Sequence, residues 1–79
     1  MERYIVIANY YDCYGLKDHS YWVVDETTPF YEAKDTVGKV HILVPLIKQD
    51  AADAGITEVC IHVYELGKEV TDKFLKDMR

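Results

Sequence analysis

Residues 3–12, RYIVIANYYD, are apolar on both alternating sets: Tyr4, Val6, Ala8 and Tyr10 on one, Ile5, Ile7 and Tyr11 on the other. A strand with one wet face alternates apolar with polar, so this pattern predicts a central strand covered on both faces. Gly15 within CYGLKD supplies a flexible turn position and SYWVVD resumes β-rich composition. Residues 3–25 therefore read as a hairpin with a loop of several residues. Further on, TEVCIHVY at 57–64 sets Val59, Ile61 and Val63 against Glu58, Cys60, His62 and Tyr64, the alternation of a half-covered strand.

The middle of the chain changes period. Phe30, Ala33, Val37, Val40, Val44, Ile47, Ala51 and Ala54 recur at intervals of three and four, which places them on one side of a helix. Thr28–Pro29 is a start signal, because a hydroxyl can accept from orphan amides and proline suits the first helical turn. Pro45 cannot bond the carbonyl of His41 and restricts Val44, so together with Gly38 it predicts a kinked or divided helix. The same stretch admits a rival reading, KVHILV at 39–44 as a strand with a short helix after Pro45, and the pattern leaves the two open. Gly55 stops the helix in either case. After Gly67, KEVTDKFLKDM carries Val70, Phe74 and Met78 at helical spacing, with Glu69–Lys73 and Asp72–Lys76 as i,i+4 pairs, and predicts a short C-terminal helix.

These elements give ββαβα, a single α+β domain over residues 1–79. If the long helix runs back across the sheet, the third strand lies antiparallel to the first and pairs beside it. The expectation is a three-stranded antiparallel or mixed sheet of order 3-1-2, with the long helix on one face. The other face carries many aromatics and needs a cover: the C-terminal helix, a second subunit or a partner.

Charge narrows the choice of partner. Fourteen carboxylates against nine Lys and Arg leave a net charge of −5, which disfavours direct contact with nucleic acid and favours a protein with a basic surface. No apolar run approaches the roughly 18 residues that would suggest a membrane span, and no signal peptide is evident, so a cytoplasmic, soluble protein with reduced thiols is expected.

The motifs of common chemistries are missing. No G-x-S-x-G elbow, P-loop or G-x-G-x-x-G occurs. Cys13, His19, Cys60 and His62 fit no usual zinc spacing. Cys13 with His19 has the residue types of a nucleophile and its base, but Asp12 and Asp18 beside them raise a thiol pKa rather than lower it. No enzyme, metal or cofactor is expected. Tyr4, Tyr10, Tyr21 and Tyr64 would suit base stacking on a sheet, yet the basic groove that RNA modules add is missing.

What remains is contact surface. Tyrosine gives large area at low entropy cost, so Tyr10, Tyr11, Tyr14 and Tyr21 are candidate protein-binding anchors. Asp25, Glu26, Glu32 and Asp35, with Asp50 and Asp53, form a candidate acidic face on and before the long helix. In size, charge and layout the chain is similar to small phage or mobile-element inhibitors of the anti-CRISPR and anti-restriction kind. That resemblance implies an inhibitor of a basic, nucleic-acid-handling complex; no residue motif carries it, so no site residue is transferred. The alternatives are a small single-stranded RNA or ligand-binding domain using the aromatic face, and a structural subunit that forms homodimers.

Overall fold

The computed structural model describes residues 3–65 and 67–75. Strands β1 (Tyr4–Asp12) and β2 (Gly15–Val24) form the hairpin, followed by helix α1 (Thr36–Asp53), strands β3 (Glu58–Glu65) and β4 (Lys68–Glu69), and helix α2 (Thr71–Leu75). The sheet has four strands in the order β2-β1-β3-β4, and each neighbouring pair is antiparallel. The expected 3-1-2 arrangement is present, with β1 central. The sheet is wider than three strands because Gly67, at φ 81°, turns the chain back so that Lys68 and Glu69 pair with Glu65 and Tyr64. Those two residues had been expected in the C-terminal helix, which instead opens at Thr71. Met78 and Lys76, assigned to that helix by spacing, lie outside the described residues.

The hairpin turn is tighter than its sequence implied. Only Cys13 and Tyr14 separate the paired Asp12 and Gly15, because Asp12 Oδ1 accepts from the Tyr14 amide at 2.7 Å and Gly15 takes φ 116°. The register shifts beyond Tyr10, where Lys17 is the extra residue of a bulge.

One side of the sheet holds the core. Tyr4, Val6, Ala8, Val24, Ile61 and Val63 pack against Val40, Leu43, Val44 and Ile47 of α1, all buried. KVHILV is therefore helical, and α1 runs through the exposed Pro45 as one element rather than two. Tertiary burial decides the ambiguity: at helical spacing Val40, Val44, Ile47 and Ala51 all reach the core, whereas a strand would present alternate residues to it. Phe74 of α2 closes the same side, with its ring 5.5 Å from Tyr4 in an edge-on contact and 4.9 Å from His41 of α1. Both helices thus lie on one face of the sheet.

The helix starts seven residues later than Thr28–Pro29 suggested. Thr28 Oγ1 accepts from the Asp25 amide at 3.0 Å, and Asp25 Oδ1 accepts from the amide and hydroxyl of Thr27 at 2.9 and 2.6 Å. These local bonds satisfy backbone groups in turns and compete with helix formation there. The cap is Asp35, extended in backbone, whose Oδ1 accepts from the Gly38 amide at 2.7 Å. Phe30 still packs against the core from the loop, while Ala54 is exposed. Lys39, 8% exposed, lays its stem along the apolar layer and donates from Nζ to the carbonyls of Asp25 and Glu26 at 3.1 and 2.9 Å, tying the loop to α1.

Two stability measurements check this account by urea denaturation. Asp35→Ala costs about 1 kcal/mol through the lost cap, while Asp35→Ser stays close to wild type. Phe74→Ala costs about 3–5 kcal/mol, because it removes the buried ring that joins α2 to Tyr4.

Candidate functional site

Alternation along the strands sends a second set of side chains to the face opposite the helices. Cross-strand pairing arranges them in four rows: Val23–Ile5–Tyr64, Tyr21–Ile7–His62, His19–Asn9–Cys60 and Leu16–Tyr11–Glu58. No described element covers them. Tyr21 is 70% exposed, Val23 48% and Ile5 41%, values that belong to surface residues although the side chains are those of a core. Of the twelve positions only Glu58 carries a fixed charge, while Glu69 of β4, paired with Tyr64, and Arg3 bring charge to the end of the face at the first row. Arg3, Ile5, Ile7, Tyr64 and Gly67 line a shallow apolar depression of about 310 Å³ at one end of it.

The margins are held by polar contacts. Arg3 Nε is 3.9 Å from Asp25 Oδ2 beside the first row. On the β3–β4 side His62 Nδ1 donates to Glu69 Oε2 at 3.0 Å, Thr71 Oγ1 donates to the same oxygen at 2.8 Å, and that hydroxyl accepts from the Val63 amide at 3.0 Å. The bond from His62, then that from Thr71, holds the Glu69 carboxyl below its usual range. Asp25 is likewise held low, first by the hydroxyl and amide of Thr27 and then by the charges of Arg3 and Lys39.

The residues singled out from sequence divide among several places. Tyr21 and Tyr11 belong to the open face, and Tyr14 stands at the hairpin tip, 95% exposed. Tyr10 takes the opposite side, half-buried against the core beneath the helix layer. Asp25 is half-buried and its carboxylate serves the loop that follows β2. Glu26 and Glu32 are exposed in that loop, and Asp35 caps α1, so neither Glu32 nor Asp35 is on the helix. Asp50 and Asp53 are exposed on α1, with Asp53 Oδ1 accepting from Gln49 at 2.9 Å. The exposed Ile5, Leu16 and Val23 and the half-buried Ile7 were missed, while Tyr64 had been considered only for base stacking. Their signal was the second apolar set of β1, which periodicity reads as buried whatever buries it.

The chemical side groups stay apart. Cys13 at the hairpin tip and Cys60 on the open face are free and exposed. Asp12 and Asp18 each accept from a neighbouring backbone amide, those of Tyr14 and His19. Among the described residues no three His, Cys, Asp or Glu side chains converge as metal ligands, and no helix is long and apolar enough to cross a membrane. Comparison with known proteins adds no relative: no protein family, curated protein or solved structure matches the chain.

The carboxylates predict a pH response. Glu69 has its folded value lowered from 4.5, so its contribution to stability is fully present above that value and is lost as pH falls through the lower folded one. Glu69→Gln removes this part of the acid dependence, and urea midpoints measured at neutral pH and below about pH 4 should differ less in the variant than in wild type.

Proposed function

We propose that this chain is a non-enzymatic protein-binding module that docks through its uncovered sheet face. One observation carries the reading: the cross-strand rows expose Ile5, Val23 and Tyr21 together, on a face whose charges, Glu58, Glu69 and Arg3, stand at its ends. Contiguous apolar surface of this kind has a free-energy cost in water that a protein partner relieves. Absence of charge at the centre with Tyr and aliphatic anchors is the composition of an interface core, and Tyr14 at the tip extends the contact beyond the sheet.

The acidic groups have a different location. Glu26 and Glu32 precede α1, and Asp50 and Asp53 ride on it, in the layer that lies across the sheet from the open face. This side is the one suited to a basic partner, by charge complementarity. In its finer form the proposal is a stoichiometric inhibitor, with this acidic layer entering a Lys- and Arg-lined channel of a nucleic-acid-handling protein, in the style of phage and mobile-element inhibitors.

Capture from a native lysate separates the two surfaces. Tyr21→Ala weakens retention of a partner held by the sheet face by about 2 kcal/mol, roughly thirtyfold. Reversing Glu26, Glu32, Asp50 and Asp53 to Lys releases proteins held by the acidic layer. A Tyr21→Ala, Val23→Lys double variant that keeps its circular dichroism and still retains every protein would remove the sheet face from the reading. Oligonucleotide binding that weakens with rising salt would replace it with single-strand recognition.

A further inference from the structure

Hydrogen bonds at one edge of the sheet fix which backbone groups reach the other. Val63 of β3 turns its backbone away from β1: its amide donates to Thr71 Oγ1 at 3.0 Å and its carbonyl accepts from the Val70 amide at 2.6 Å. Backbone groups of successive strand residues face opposite edges, so His62 and Tyr64 bond Ile7 and Ile5, and Val6 and Tyr4 are left to bond Trp22 and Val24 of β2. His19, Tyr21 and Val23, with Asp25 just past the strand, therefore aim their amides and carbonyls at the outer edge of β2.

The chain closes this edge at both ends with its own groups. The His19 amide donates to Asp18 Oδ1 at 2.7 Å, and Lys17 next to it is the extra residue of the bulge, a device that keeps strands from pairing further. The Asp25 amide donates to Thr28 Oγ1 at 3.0 Å, while its carbonyl accepts from the Thr28 amide and from Lys39 Nζ, each at 3.1 Å. Between these closures stand the amides and carbonyls of Tyr21 and Val23, for which no described group is a partner. Residues 20–24, SYWVV, carry no proline, no charge and no bulge, so this stretch lacks the features that guard an edge.

We propose that this stretch of β2 is a strand-addition site, and that its occupant is an extended segment of another protein, lying beside Tyr21 and Val23 as a further strand of the sheet. The fit is of main chain to main chain. Donors and acceptors that recur every second residue, about 6.8 Å apart, have the spacing of an extended backbone, whereas a helix has its own groups bonded internally. Residues of the segment fall alternately beside the exposed Tyr21 and Val23 and beside the half-buried Trp22, positions that suit β-branched or aromatic side chains. Glu26, exposed just past Asp25, and the net charge of −5 favour a basic residue at that end of the segment. The same net charge opposes pairing of two copies through this edge. The contact is additional to the open sheet face, because it uses backbone groups rather than the side chains of the rows.

Amide hydrogen exchange of the full chain, read by NMR, tests this with an acetylated and amidated peptide that alternates valine with threonine and has a lysine at each end. The Tyr21 and Val23 amides are expected to exchange freely in the protein alone and to slow by at least about tenfold with peptide, while the Trp22 amide is protected throughout. N-methylation of alternate peptide amides gives two probes, and the one methylated on the edge that meets β2 loses binding while the other keeps it. Val23→Pro removes an outward amide, so it stays folded and loses the peptide; Trp22→Pro removes a ladder bond and unfolds. Tyr21→Ala, which weakens docking on the sheet face, leaves the peptide bound. Amides that do not slow at the highest soluble peptide concentration, or equal binding of the two methylated probes, overturn the proposal, and both results stay decisive should Val23→Pro fail to fold. Tyr21 and Val23 amides already protected in the free monomer overturn it too, and protection that grows with protein concentration replaces the partner segment with a second copy. Each of these results concerns the backbone edge alone and leaves docking by the sheet face to the capture experiment.

Discussion

The edge-on contact of Phe74 with Tyr4 decides what the surface of this protein is. Tyr4 is fully buried on the helix side of the central strand, and Phe74 reaches it beside His41 of α1. Lys73 follows, its ammonium 5.8 Å from the Tyr4 ring and 5.9 Å from that of Phe74. Helix α2 is thereby placed next to α1 instead of across the sheet from it. Among the described residues no other element is left over, so one sheet face is covered and the other stays open.

Many of the polar residues serve that same economy. Asp25, Thr27 and Thr28 knot the chain after β2, Lys39 fastens the knot to α1, Asp35 caps the helix, and Glu69 with Thr71 and His62 closes the turn into α2. Carboxylates that look like a continuous acidic face in the sequence are thus divided. Asp25 and Asp35 make structural bonds, Asp53 accepts from Gln49, and Glu26, Glu32 and Asp50 remain exposed on the helix side. The division matters because a carboxylate bonded within its own chain offers less of its charge to a partner than a solvated one does.

Surface chemistry of this kind is what the proposed contact role draws on. The thiols are exposed, the nearby aspartates are bound to backbone amides, and the open sheet face carries a shallow apolar depression at one end. Flat apolar surface suits another protein, which can supply a matching area, better than a small molecule, which needs enclosure.

Period and alternation in the sequence by themselves determined the three long strands, the central place of β1 and the antiparallel order around it, because side-chain alternation and connection rules are local and geometric. They also revealed that β1 is apolar on both sides. Three things were settled only by the tertiary structure. KVHILV became helix because burial of Val40, Val44, Ile47 and Ala51 needs helical spacing. The helix cap moved from Thr28 to Asp35 because Thr28 found the Asp25 amide, a partner that pattern cannot see. The cover expected for the second sheet face did not come from α2, because Phe74 packs on Tyr4, and no periodicity states on which side of a sheet a five-residue helix will land. An apolar set of residues is legible as needing a cover; whether the cover is the chain's own is a matter of where the rest of the chain goes.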